Sequence, residues 1–220
     1  REARAAIAAG ELGPLRIVHA TYMQGGLGTR VEDHPEAMSA RLRWRLDPAT
    51  GGESHVLGDI GTHAHQLLTY VAGSRVEKVL ADVGAALPGR AAHDTASIIV
   101  RMEGGARGVI MVTKAATGAE NALTLEAYGE AGGLFWQQSA ANELRVMRNN
   151  RPAEIRTRGL PTLHPLAQRA TRIPAGHPEA FLEAFANIYV DFADQVLARR
   201  AGQAPDPLAL HAPDGRTGAE

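Results

Sequence analysis

Asp59 and His63 stand four residues apart in 58-GDIGTHAHQLLTYVAG-73, where Ile60, Ala64, Leu67, Leu68 and Val71 recur at the spacing of one buried helical face. Side chains four apart project from the same side of a helix. An imidazole, with an ordinary pKa of about 6.5, can exchange a proton with a substrate hydroxyl, while a neighbouring carboxylate orients it or favours its charged form. A plainer reading stands beside this one: an acid in a first helical turn is favoured by the helix dipole, with a histidine incidentally next to it. The glycines tilt the balance towards chemistry. Gly58 and Gly61 each cost roughly 1 kcal/mol against alanine inside a helix, and they clear side chains from the turn that carries the pair, which permits close approach by backbone or ligand.

Two further histidines are candidates. His55, Asp59 and His63 fall at i, i+4 and i+8 and offer nitrogen and oxygen ligands on one helical face. Such ligands are strung along about 12 Å of a straight helix and seldom converge on one ion, so the metal reading stays a minor alternative and no metal ligand is assigned. His177, in 174-PAGHPEAF-181, either points into a pocket closed by the preceding loop or belongs to a helix-start signature with Glu179 in the first turn.

The elements that must position these residues follow from periodicity. REARAAIAA (1–9) reads as the end of a helix stopped by Gly10, and LRIVHATYMQ (15–24) as a strand. A Gly-bearing loop spans 25–38, RLRWRL (41–46) alternates like a short strand, and the helix carrying Asp59 fills 55–72. The period then changes to two over 76–87, 95–102, 106–116 and 121–129, with 133–138, 143–148 and 153–158 extending the pattern through short turns that favour antiparallel neighbours. Residues 159–177 form a long irregular loop. A helix with proline at its first position covers 178–200, with Phe181, Phe185, Tyr189 and Phe192 as its core face, and a loose tail follows. The expected fold is α+β: a large, open, mainly antiparallel sheet with helices packed on one face.

Composition narrows the function. The 220 residues carry a formal net charge of -1 without a basic cluster, which speaks against nucleic acid and membrane surfaces as partners. No apolar run reaches membrane-spanning length, and a cytoplasmic location is the default expectation. With no cysteine there is no thiol catalysis and no zinc-thiolate site. No G-x-G-x-x-G lies between a strand and a helix, and neither a G-x-S-x-G elbow nor a P-loop occurs.

The segments WRLDPATGGESHVLGDIGTHAHQLLTYVAG and RAAHDTASIIVRMEGGARGVIMVTKAATGAENALTLEAYGEAGGLFWQQ resemble the C-terminal domain of the Gfo/Idh/MocA oxidoreductases, and PAGHPEAFLEAFANIYVDFA resembles the terminal helix of a sugar- and inositol-like branch. Members pair such a sheet domain with a Rossmann domain and use NAD or NADP to oxidise or reduce a carbohydrate-like alcohol or ketone. The resemblance implies that Asp59 and His63 are the D-x-x-x-H catalytic pair, with His63 as the proton carrier. It places Arg45 near the cofactor, and Asn121 and His177 near substrate hydroxyls. The family's catalytic lysine stands in an E-K-P motif of the Rossmann domain and is absent here. QGGLGTR (24–30) replaces a loop that contains tryptophan in relatives with this ending.

The expected organisation is therefore a helix remnant of a dinucleotide-binding domain (1–12), a substrate-binding and oligomerisation domain (13–207) and a tail (208–220). Its partners are a carbohydrate-like small molecule and further copies of itself, as a dimer or tetramer through the sheet. The rivals are a scaffold that kept the sheet without the chemistry, and a metal-dependent hydrolase or isomerase.

Overall fold

A computed structural model of the chain describes residues 1–219. Eight strands form one sheet in the order β2-β3-β4-β1-β5-β6-β7-β8. They are β1 (Leu15–Met23), β2 (Val76–Gly84), β3 (Thr95–Met102), β4 (Arg107–Thr113), β5 (Ala122–Gly129), β6 (Gly133–Gln137), β7 (Glu143–Met147) and β8 (Glu154–Thr157). β1 pairs parallel with β4, and every other pairing is antiparallel. The alternation read from the sequence is expressed in register. One row of the sheet runs Ala81, Ile98, Ile110, Ala20, Leu125, Trp136 and faces the core, while the neighbouring row runs Leu80, Ile99, Val109, His19, Glu126, Phe135, Arg145, Ile155 on the other face.

Helices cover only the first of these faces. α1 (Glu2–Ala8) and α4 (Thr62–Ala72) pack there, and Ala64, Leu68 and Val71 of α4 join Val18, Ala20, Ile110, Val112 and Leu125 in the main core. Gly73 ends α4 in the left-handed conformation at φ 68°, where its N–H returns to Thr69 O. On the uncovered face Ile17, Leu80 and Ile99 remain exposed.

Several expectations are corrected. RLRWRL is helical: α2 spans Ala40–Leu46. Leu42 and Leu46 satisfy a period of two and a helical i,i+4 spacing alike, and the Ser39 side chain, accepting the Leu42 N–H at 3.2 Å as an N-cap, decides for the helix. A four-residue turn, α3 (Pro48–Gly51), follows it. The loop over 159–177 contains a short helix, α5 (Pro165–Arg169), with proline at its start. The last helix, α6 (Phe181–Arg200), begins after Pro178, and Phe181, Phe185, Tyr189 and Phe192 are exposed rather than core. Helical spacing groups side chains on one face without specifying what covers it. Nor is the tail wholly loose, because the 3-10 turn Pro207–His211 buries Ala209 and sets the His211 ring edge-on to Tyr70.

A second, smaller cluster of Leu27, Met38, Leu46 and Ala92 lies beside the main core. Arg90 ties it together. Its fully buried guanidinium donates to Glu32, to Asp94 (2.6 Å) and to the carbonyls of Leu27 and Thr29 (both 2.8 Å). Asp94 is equally buried, and its other oxygen accepts the Ala86 N–H and the Thr95 hydroxyl. Replacing Arg90 by methionine strands that carboxylate without its counter-ion, a change that costs about 3–5 kcal/mol. The R90M chain should melt roughly 10 °C below the wild type, with R90K recovering only part of the loss because an ammonium cannot span the same four acceptors. An R90M melting temperature within about 2 °C of wild type would refute this account of the cluster.

Candidate active site

The helix that carries Asp59 is not uniformly α-helical. Leu57–Gly61 form a single π turn, in which the Thr62 N–H reaches back five residues to Leu57 O before α4 continues. Such turns are rare and concentrate at functional sites. A Cβ built on Gly58 would meet no atom within 4 Å, so the exposed side of the turn opens on free space. The turn is anchored from below by the strand-like pairing of 53–56 with His93, through His93 N–H to Glu53 O (2.8 Å) and Val56 N–H to His93 O (3.2 Å).

Both oxygens of Asp59 are held by cations from other elements. Arg45 of α2 donates to Oδ1 at 2.6 Å, and Lys114, at the end of β4, donates its ammonium to Oδ2. Lys114 is nine-tenths buried, and its backbone is fixed on both sides by its N–H to Asp94 O (2.9 Å) and the Leu27 N–H to its carbonyl (2.8 Å). Partial burial works to raise the Asp59 pKa, but the Lys114 hydrogen bond and charge, with Arg45 adding to it, outweigh this and hold the carboxyl below its ordinary value. His55, on the same helix and buried, is driven towards its neutral form: burial, Lys114 and Arg45 all lower its pKa, and Asp59 only partly opposes them.

His63 is exposed, and its ring sits 6.2 Å from that of Tyr22 at 68°, an edge-on contact. Tyr22 in turn donates to Asn121 Oδ1 at 3.1 Å, and Gln24 donates to the same oxygen. Burial raises the Tyr22 pKa, the Gln24 hydrogen bond opposes this, and the Asp59 charge adds to it, so the phenol stays protonated. The residues nominated by sequence thus fall into three places. Asp59 and Arg45 are bonded directly, and His63 and Asn121 meet through Tyr22. His177 stands apart on the loop after β8, at the same end of the sheet but four strands from β1 in the sheet order, or about 19 Å at 4.8 Å per strand. Its carbonyl is held by Arg158, and Glu179 fixes the same loop by accepting the Arg172 and Ile173 N–H groups, both at 2.7 Å.

Three residues escaped the sequence reading. Tyr22 and Gln24 carry no signal beyond ending a strand, whereas Lys114 does: it is one of two lysines in the chain and closes an otherwise apolar strand. Chemically the arrangement offers a fixed anion, a free imidazole and an open turn. It does not offer a pyrophosphate cradle, because among the described residues the Gly-rich segment after a strand, 24–30, leads into a single 3-10 turn (Val31–Asp33) and not into an α-helix.

Comparison with known proteins identifies the family and the fold. Residues 1–135 match the GFO/IDH/MocA C-terminal domain. The chain is 31% identical over 198 residues to the uncharacterized oxidoreductase YfiI of Bacillus subtilis (strain 168), an alignment covering 89% of this chain and 50% of that protein. An inositol dehydrogenase homolog from Azotobacter vinelandii, solved with NAD+, superposes with a TM-score of 0.82 at 34% identity over 91% of this chain and 51% of that one. The same homolog with NADH and myo-inositol gives 0.79 at 32% identity, over 91% of this chain and 50% of that one. The chain spans about half the length of the relatives it matches.

The His55 environment makes a pH prediction. A base whose folded pKa lies below its ordinary value leaves stability intact above about pH 6.5, and stability is lost as the pH falls from there towards the folded pKa, because the unfolded chain takes up the proton first. A His55→Asn chain lacks this loss. In urea denaturation the stability gap between wild type and H55N should therefore narrow from pH 8 to pH 5, and a gap independent of pH would contradict the assignment.

Proposed function

Because the chain belongs to the Gfo/Idh/MocA oxidoreductases as their C-terminal domain, we propose that it forms the substrate-binding and oligomerisation half of an NAD(P)-dependent dehydrogenase acting on a sugar, inositol or related polyol. The observation that carries this reading is the open π turn, which sets an ionised Asp59 and an exposed His63 beside free space at Gly58. NAD or NADP, when bound, supplies hydride acceptance. His63 takes the hydroxyl proton as the alcohol becomes a carbonyl. Arg45 borders the cofactor's reacting end. Asn121 keeps its side-chain oxygen on Tyr22 and Gln24, which leaves its amide N–H groups to donate to a substrate hydroxyl, and His177 bounds the far side of the pocket. The Azotobacter homolog's complex with NADH and myo-inositol supports a polyol as substrate.

Two apolar surfaces complete the proposal. The stripe of Phe181, Phe185, Tyr189 and Phe192 on α6 stands in water, and we assign it to contact with a dinucleotide-binding half. Residues 13–207 form the substrate domain, and residues 1–12, which lead from that half, pack against this domain through Ala3 and Leu12 of its main core. The uncovered sheet face, with Ile17, Leu80 and Ile99, is assigned to a second copy of the chain.

In the complete enzyme His63→Ala should lower turnover by roughly 100-fold or more while cofactor affinity stays nearly constant. Asp59→Asn should do less damage, and the double variant should cost less than the product of the singles. Steady-state kinetics with parallel melts check this, and an H63A enzyme with full turnover would refute the proton-carrier role. For the sheet face, light scattering should report a dimer or tetramer at tens of micromolar and a monomer for the double variant Leu80→Asp, Ile99→Asp, since paired charges on an associating face oppose its burial. A wild-type monomer under those conditions would overturn the assembly.

A further inference from the structure

Asp59 is flanked by more positive charge than a mere orienting carboxylate needs, and Lys114 has no other role on view. Its ammonium lies under the site from the sheet side, nine-tenths buried, with Asp59 as its acceptor. An ammonium so far from water is costly unless paired, and its main chain is pinned between Asp94 O and Leu27 N. The groups facing Asp59 and His55 are Arg45 from α2, Lys114 from β4, the phenol of Tyr22 from β1, and His55 with His63 on the helix itself. Lys114 and Arg45 against Asp59 leave one net positive charge.

We propose that Lys114 is a positioning residue of this site: together with Arg45 it locks Asp59 as a fixed anion with both oxygens engaged, so that His63, resting on Tyr22, carries the proton without Asp59 as its hydrogen-bond partner. Burial and, added to it, the excess of two cations over one anion keep His55 neutral. Asp59 then acts through the field it sets and through the turn it anchors. A two-point hold on both carboxylate oxygens fixes orientation as well as charge. Its catalytic consequence rests on the dehydrogenase reading above, whereas the lock itself is a property of this chain.

The two are tested separately. In the chain, carboxyl and imidazole titrations by NMR compare wild type with Lys114→Gln and Lys114→Arg. With the ammonium gone, the midpoints of Asp59 and His55 should both rise, and the arginine variant should bring them back towards wild type. An Asp59 midpoint unchanged in K114Q overturns the lock. If K114Q fails to fold, Asp59→Asn serves instead: removing the anion should lower the His55 midpoint further, and an unmoved midpoint overturns the lock. In the complete enzyme, turnover should fall part-way, by no more than Asp59→Asn loses, as pH falls through the Asp59 pKa, so the acid limb of the K114Q profile should lie at a higher pH and K114Q should turn over about 10-fold more slowly at pH 7, with KM little changed. A pH profile identical to wild type, alongside a displaced Asp59 midpoint, overturns the positioning role while leaving the dehydrogenase reading intact.

Discussion

A carboxylate that is only 24% exposed must meet positive charge or give up its own, and the ion trio of Arg45, Asp59 and Lys114 is the constraint around which this end of the molecule is arranged. The three residues lie on α2, on the π turn and at the end of β4. None of these is a neighbour of another in sequence, so bringing the charges together fixes three elements at once. Each is held independently. The sheet register puts the end of β4 beside that of β1, Ser39 caps α2, and the pairing of 53–56 with His93 seats the turn. Arg90 enters through its acceptors, since Leu27 and Asp94 are the residues whose main chains grip Lys114. A buried guanidinium outside the site thus sets the position of an ammonium inside it.

The π turn is the second element of the same design. Inserting a wide turn into a helix gives up a regular hydrogen bond and is seldom retained without use. Here it lies where the glycines are. Gly58 faces open space, while a Cβ on Gly61 would come within 3.1 Å of the Leu57 side chain. One glycine therefore keeps a volume clear and the other lets the turn pack against itself. The two positions that looked costly for a plain helix are those at which the helix departs from its ordinary form.

How far this was legible from sequence depended on whether one local pattern sufficed. Period-two strands such as 95–102 announce themselves because one face is buried, and β3 occupies those residues. The D-x-x-x-H spacing and the flanking glycines marked the candidate site for the same reason, being local. Six residues of R-L-R-W-R-L were too few to separate the two periods, and the deciding Ser39 cap lay outside the segment. The α6 aromatics obeyed helical spacing, but what covers them is a tertiary fact. Lys114 was hidden more deeply, because its partner Asp59 is 55 residues away and the packing of the π turn against β4 is what brings them together.

The placement of the candidate site also explains how the molecule can carry so much apolar surface without obstructing it. Asp59, Lys114 and Asn121 cluster where β4 ends and β5 begins, at the rim of the sheet. Side chains on the uncovered face, such as Leu80 and Ile99, stand perpendicular to the strands. A partner laid against that face would approach at right angles to the direction in which the strand ends point. Association through the sheet and access to the turn therefore use different directions. A sheet has faces for packing and ends that can carry a site, and in this chain the covered face supplies the core that keeps the ends in register.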